Sequence, residues 1–315
     1  VSVRLDYWFS IEKYYYLRCW DEFVRAAEEV VLQGETLPYF FTMLAVAHRR
    51  RGNKEKATRC LRNGINKHPD NPLCYSALGT MLACSSKNDQ GLRLEALSMW
   101  RQAIDLSGGA YSTQHLTDEI GILQKLPIAE RYPPVSQAVQ RTIDQLRACG
   151  MFFGLTSDDV IALLVDDVGV SMLRNDWMYP GDILSVDDEC YLSLEYAFKT
   201  EITMANIVRL SSIYVDDVSE EFTGGSRHVK FKIAGRVYSS VIKRPEDLIT
   251  LVNGALLADG RTRSFYQIDD GQGHLREFLL ITQTEATALE KTGLLPRIHS
   301  AKPLGEMMIT PRPLS

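Results

Sequence analysis

The chain has 315 residues, 45% of them hydrophobic, and a net charge of −5, which bounds it at two domains with apolar side chains enough for two cores. No apolar run approaches the roughly 20 residues that span a bilayer, so a helical membrane protein is excluded. Residues 1–150 carry 19 Lys+Arg against 16 Asp+Glu, whereas residues 151–315 carry 16 against 24, so the second half is a poor nucleic-acid binder and suits a basic protein partner.

The chain opens VSVRLDYWFSIEKYYY, with acidic and aromatic side chains where a secretion signal has a basic start and an apolar stretch. The expected location is the cytoplasm. The cysteines Cys19, Cys60, Cys74, Cys84, Cys149 and Cys190 form no C-x-x-C pair. They read as free buried thiols of a reducing compartment, not as a zinc site.

Residues 1–35 predict an aromatic-rich helix, with Tyr7-Trp8-Phe9 and Tyr14-Tyr15-Tyr16, and a second helix Trp20–Leu32 burying Trp20, Phe23, Ala27 and Val31. Pro38–Pro69 reads as two amphipathic helices broken at Arg51-Gly52-Asn53. Phe41, Leu44 and Ala45 share a face of the first, and Ala57, Leu61 and Ile65 a face of the second. Gly52 suits the left-handed backbone that ends a helix, and Pro69 prevents the second helix continuing. The scheme then recurs: Pro72, Tyr75, Leu78 and Gly79 stand in register with Pro38, Phe41, Leu44 and Ala45 at an offset of 34 (72 − 38).

These positions, with Ala57, Leu61 and Pro69 and then Ala96, Trp100 and Ala103, resemble the tetratricopeptide repeat over about a third of the chain. Two departures stand out. His48 occupies a position where the family usually has Tyr, and the second repeat carries about five extra residues, roughly 85–91, before its second helix. Trp20–Leu32 then belongs to a degenerate first repeat, and Thr113–Gln124 to the helix that closes the open end. The resemblance implies a non-enzymatic binding scaffold. Its concave groove falls on Tyr39, Thr42, Val46, Arg49 and Arg50 in one repeat and on Leu73, Ser76, Thr80, Ala83 and Cys84 in the next.

A Pro-marked break, IAERYPP at 128–134, leads into a helix at Val135–Ala148, read as a connector. The expected organisation is a helical-repeat domain at 1–127, a connector at 128–150, an acidic α+β domain at 151–300 and an extended tail at 301–315. Within the acidic domain, Thr156-Ser157-Asp158-Asp159 is a helix start continuing through Val165. A helix is expected over Asp187–Asn206, where Tyr191, Leu194, Phe198 and Ile202 keep a helical stripe. Strands are expected at Val208–Val215, His228–Ile233 and Arg236–Ile242, with a tight hairpin at Ala234-Gly235. Then come a helix from Pro245 to Leu257, strands at Arg263–Ile268 and Arg276–Thr282, and a helix Glu285–Thr292 ending at Gly293. This order predicts an α+β domain with a mostly antiparallel sheet.

The chain carries no P-loop, G-x-G-x-x-G after a strand, G-x-S-x-G or H-E-x-x-H. Six Asp-Asp or Glu-Glu doublets recur in residues 151–315, including Asp216-Asp217, Glu220-Glu221 and Asp269-Asp270; capping, turns and solvation account for three of the six. The basic run His48-Arg49-Arg50-Arg51 with Lys54, Lys56, Arg59, Arg62 and Lys67 suits a solvated helix face or complementarity to the acidic second domain, and otherwise contact with phosphates or an acidic protein. The expectation is therefore a protein–protein interaction protein without catalytic residue, metal or cofactor, binding neither nucleic acid nor membrane. Its expected partner-binding residues are Tyr39, Thr42, Arg49, Arg50, Ser76, Thr80, Asp216, Asp217, Glu220, Glu221, Asp269 and Asp270. Within that class its general character is similar to bacterial immunity (antitoxin-like) proteins, small acidic domains that cover a basic toxin or effector. The alternatives are an enzyme of unfamiliar class with a repeat docking arm, its pocket built from Asp216, Asp217, His228 or Asp269, and a repeat adaptor or secretion chaperone holding a peptide in its groove.

Overall fold

The computed structural model describes residues 11, 14–15, 18–32, 37–108, 111–167, 169–174, 176, 178–193, 200–211, 215–223, 226–233, 236–242, 245–269, 277–295 and 297–300. The chain is α+β and divides into two compact units, residues 1–136 with 169–174, and residues 137–168 with 175–315. Most of the expected first aromatic helix, the Ala234-Gly235 turn, the loop at 270–276 and the tail from 301 lie outside the described residues.

The first unit is a series of packed helices compatible with helical repeats. They are α1 (Trp20–Leu32), α2 (Pro38–Arg50), α3 (Lys54–Lys67), α4 (Pro72–Cys84), α5 (Gln90–Ser107) and α6 (Tyr111–Lys125). Each packs on the next, and α2 also touches α4, as α4 touches α6. Prolines at the first positions of α2 and α4 pre-set the helical φ. The Asn71 and Asp89 side chains cap α4 and α5 by accepting the N–H groups of Leu73 and Leu92, each at 3.0 Å. The repeated apolar positions are the ones that pack: Phe41, Leu44, Ala45, Ala57, Leu61, Leu78, Ala96, Trp100 and Ala103 are all buried. Gly79 is required by contact, since a Cβ there would lie 2.5 Å from Cδ1 of Trp100.

A polar cluster seals the far end of this unit. Glu119 on α6 is buried, and its carboxylate accepts the Tyr132 hydroxyl at 2.6 Å and a fork of two N–H groups from Arg174, one of them at 3.1 Å. Arg174 ends a short 3-10 turn, Met172–Arg174, whose Leu173 carbonyl accepts the Ser136 N–H at 2.9 Å. Burial, and then the Glu119 charge, raise the Tyr132 phenol well above its ordinary pKa, so it remains a donor. The Trp100 ring lies 5.6 Å from that of Tyr132, joining the cluster to the repeat core.

The second unit contains α7 (Gln137–Ala148), α8 (Ser157–Asp167), α9 (Pro180–Leu184), β1 (Tyr191–Ser193), α10 (Thr200–Ser211), β2 (Val215–Thr223), β3 (Ser226–Ile233), β4 (Arg236–Ile242), α11 (Pro245–Ala258), β5 (Arg263–Asp269), β6 (Glu277–Thr282), α12 (Gln283–Thr292) and β7 (Arg297–Ser300). The strands form two antiparallel sheets, ordered β1-β6-β5-β7 and β2-β3-β4. Ile233 pairs with Arg236, so β3 and β4 are joined by the expected two-residue connection. One core takes side chains from α10, α11 and both sheets, including Ile207, Phe231, Tyr238, Val252, Phe265 and Phe278. Asn253 on α11 reads the edge of β5 with both ends of its amide, to Phe265 N–H (2.7 Å) and Phe265 C=O (2.9 Å). α12 starts with a reciprocal capping box between Thr282 and Glu285 and stops at Gly293, φ 67.

Two expectations need correction. The stretch 187–206 is not one helix, because the Asp187 carboxylate bonds the N–H of Glu189 and closes a local turn before strand β1. Val208–Ser211 is helical, not strand. Met204, Ile207 and Leu210 bury one face of α10, and that packing outweighs the β-branched composition. The strand begins only at Val215.

Candidate protein-binding surfaces

The positions expected to line a groove of the first unit fall on α2 and α4. Tyr39 and Leu73, at matching positions of the two helices, are 36% and 47% exposed. Thr42 and Ser76 stand one turn further along each helix, half-buried, with the Thr42 hydroxyl donating to the Tyr39 carbonyl at 2.6 Å. Thr80 is turned to a structural task, because its hydroxyl accepts the Trp100 indole N–H at 3.3 Å. Ala83 is fully buried and does not line an open groove. Arg49 and Arg50 are half-buried at the other end of α2, with the Arg50 guanidinium 5.7 Å from the centre of the Trp20 ring. Along α2, Tyr39 and Arg49 stand about 15 Å apart, ten residues at helical rise.

Two cations of the neighbouring basic run are paired within the unit. Arg51 pairs with Asp21 at 2.6 Å, and Arg62 with Glu95 at 2.7 Å. His48 is not part of the accessible patch. It is 3% exposed, its Nε2 lies 3.6 Å from the Glu28 carboxylate, and its Nδ1 has no hydrogen-bond partner. Desolvation holds its pKa below the usual 6.5, opposed by Glu28 and reinforced by Lys56 and Arg51.

The described acidic positions fall on two separate sheets. Glu221 is exposed on β2, an edge strand of the three-stranded sheet, directly opposite His228 on β3. Asp216, Asp217 and Glu220 share that strand, and the ladder shifts register between Asp216 and Ser219. Charge and a bulge on an edge strand both discourage unwanted strand pairing. Asp269 ends β5 in the other sheet. The side chains of Asp216, Asp217, Glu220 and Asp269, and all of Asp270, lie outside the described residues. A shallow groove of about 320 Å³ crosses the three-stranded sheet, lined by Ser219, Glu221, His228, Lys230, Ser239 and Val241 among others. Among its described lining residues Glu221 is the one carboxylate, and it faces His228 across the ladder.

Among the described residues, no group of three or more His, Cys, Asp or Glu is placed to hold a metal ion, and no helix is long and apolar enough to cross a membrane. None of the six cysteines is in a disulfide. Burial pushes the Cys60 thiol up to about 12 and the Cys74 thiol up to about 11, which removes both as nucleophiles near neutral pH.

One exposed group was not singled out from the sequence. Phe153 is 81% exposed at the tip of the turn between α7 and α8, while its neighbour Phe152 is 2% exposed. The signal for it was Gly150-Met-Phe-Phe-Gly154, an apolar triplet bracketed by glycines. Compared with protein-family models, curated proteins and solved structures, the chain matches none.

Proposed function

We propose that this chain is a non-enzymatic protein–protein interaction protein whose first unit is a tetratricopeptide-like scaffold. The carrying observation is the division of labour on α2 and α4. Residues at the repeat's packing positions are buried, while Tyr39, Leu73, Thr42 and Ser76 remain accessible on the adjoining face. Such a face binds an extended segment or a helix of a partner through an apolar anchor near Tyr39 and Leu73 and a carboxylate near Arg49 and Arg50. The test is affinity capture from the source cell with the intact chain and with Tyr39→Ala/Leu73→Ala, bound proteins being identified by mass spectrometry. A stoichiometric partner lost from the double variant supports the reading. A partner retained equally by both chains contradicts it.

A second reading is favoured by the charge balance of residues 151–315, 16 Lys+Arg against 24 Asp+Glu. In it the chain is a bacterial immunity (antitoxin-like) protein of the cytoplasm that neutralises a basic toxin or effector through its second unit. Capture of a strongly basic partner that dissociates in high salt and ignores the Tyr39→Ala/Leu73→Ala substitution supports this reading over the first.

A further inference from the structure

The three-stranded sheet guards one of its edges and leaves the other bare. β2 carries Asp216, Asp217, Glu220 and Glu221 and shifts register against β3, both of which discourage a further strand. β4 pairs with β3 residue for residue from Arg236 to Ile242, without a bulge. It holds no proline or glycine, and its single charged residue, Arg236, stands at its first position. Among the described residues, no strand adds to its outer side.

The hairpin fixes which backbone groups face outward. Ile233 and Arg236 close a two-residue turn, so they form a hydrogen-bonded pair, and such pairs then alternate along the ladder. Arg236, Tyr238, Ser240 and Ile242 therefore direct their N–H and C=O groups to β3, while Val237, Ser239 and Val241 turn theirs to the open edge. Among the described residues, those three make no backbone bond to another element. Their side chains share the sheet face away from the core. Ser239 is exposed, Val241 is 38% exposed and Val237 half-buried, whereas Tyr238 and Ile242 are buried on the other face.

We infer that β4 is a dimerisation edge, on which the β4 of a second copy of this chain lies antiparallel about a two-fold axis at Ser239. This goes beyond the repeat-surface reading and does not depend on it. In that register Ser239 meets Ser239 of the other copy, and Val237 meets its Val241. The three outward-facing residues are thus each other's partners, giving three hydrogen-bonded pairs with two N–H···O=C bonds each. A slip of one residue would set these groups against groups already bonded to β3. Valine pairs flank a serine pair on the open face, and Arg236 meets Ile242, so no like charges are opposed. Lys230 stands opposite Ser239 on β3. The Lys230 positions of the two copies are therefore three strand spacings, about 14 Å, apart, beyond the roughly 8–10 Å over which exposed charges interact. The same operation on β2 would bring its carboxylates together. Pairing β2 on β4 would build an open fibre, whereas the two-fold pair closes and leaves only the guarded β2 edges outward.

The test is sedimentation equilibrium of the purified full chain from low micromolar to submillimolar concentration, and the expected result is a reversible dimer. Ser239→Lys sets like charges directly opposite each other at the axis and weakens dimerisation by about five-fold, as does Ser239→Glu. An equimolar mixture of the two variants regains the affinity of the unsubstituted chain, which misfolded variants would not. In Ser239→Cys the axial pair holds its Cα atoms about 5.5 Å apart, within disulfide reach, and oxidised glutathione links it into a covalent dimer. Ser219→Cys, also at an exposed position but on β2, is not linked. A chain that stays monomeric at every concentration overturns the proposal. So does a dimer indifferent to Ser239→Lys, a mixture without recovery, or equal linking at positions 219 and 239. None of these outcomes bears on Tyr39 and Leu73, so the repeat-surface reading stands or falls separately.

Discussion

Replacing Arg174 with methionine tests the logic of the first unit most severely. Arg174 lies 38 residues beyond Ser136, where the unit's main stretch ends (174 − 136), yet its guanidinium supplies two of the hydrogen bonds to Glu119, the third coming from Tyr132. The Glu119 side chain is 2% exposed and that of Arg174 26%. Removing the cation leaves a desolvated carboxylate with one neutral donor, a loss of about 3–5 kcal/mol by the usual cost of breaking a buried pair, with the partial exposure of Arg174 favouring the lower end. At the scale of a unit this size, that lowers its Tm by roughly 10–15 °C. The assay is thermal and urea unfolding followed by tryptophan fluorescence, since Trp100 sits against Tyr132. Arg174→Met/Glu119→Gln, which removes the stranded charge, restores most of the loss. A loss below about 1 kcal/mol in the single variant, or no recovery in the double, refutes the reasoning.

Two further outcomes follow from packing and protonation. Gly79→Ala forces a methyl group against the fully buried Trp100 and destabilises the first unit by about 1–3 kcal/mol, measured as a shift of the urea midpoint without change of slope. His48 has its folded pKa depressed below 6.5, so the unfolded chain binds more protons as the pH falls. Its contribution is therefore complete above pH 6.5 and is lost as the pH drops through the folded value. His48→Gln flattens that part of the stability–pH curve, and an unchanged curve refutes the assignment.

The parts legible in the sequence were those where a local pattern and a tertiary need agree. The 34-residue register predicted the packed faces of α2 to α5, because an apolar stripe on a helix has nowhere to go but a neighbour. The β3–β4 hairpin was legible from alternation and its short connection. The misread stretch 187–211 depended on contacts made from afar. Asp187 is held by Phe152, 35 positions away, and α10 is chosen by what its buried face meets in the core. The Glu119–Arg174 pair, 55 positions apart, leaves no periodic trace. On the binding side, Tyr39 and Leu73 are exposed. Thr80 and Ala83 turned inward because Trp100 and close helix packing claimed them, and no spacing rule encodes that. Phe153 was overlooked because an exposed aromatic residue in a turn has the same letters as a buried one.

The central claim is that the accessible face of α2 and α4 binds a protein. Its most direct measurement is titration calorimetry of the captured partner against three chains: the intact one, Tyr39→Ala/Leu73→Ala, and Glu221→Gln. Loss of two partly exposed apolar anchors is expected to weaken Kd by about ten-fold to a hundred-fold. The β2 substitution is expected to change it less than about two-fold. Equal affinity of the intact and double-alanine chains, with weakening only at Glu221, would contradict the claim and move the binding surface to the second unit.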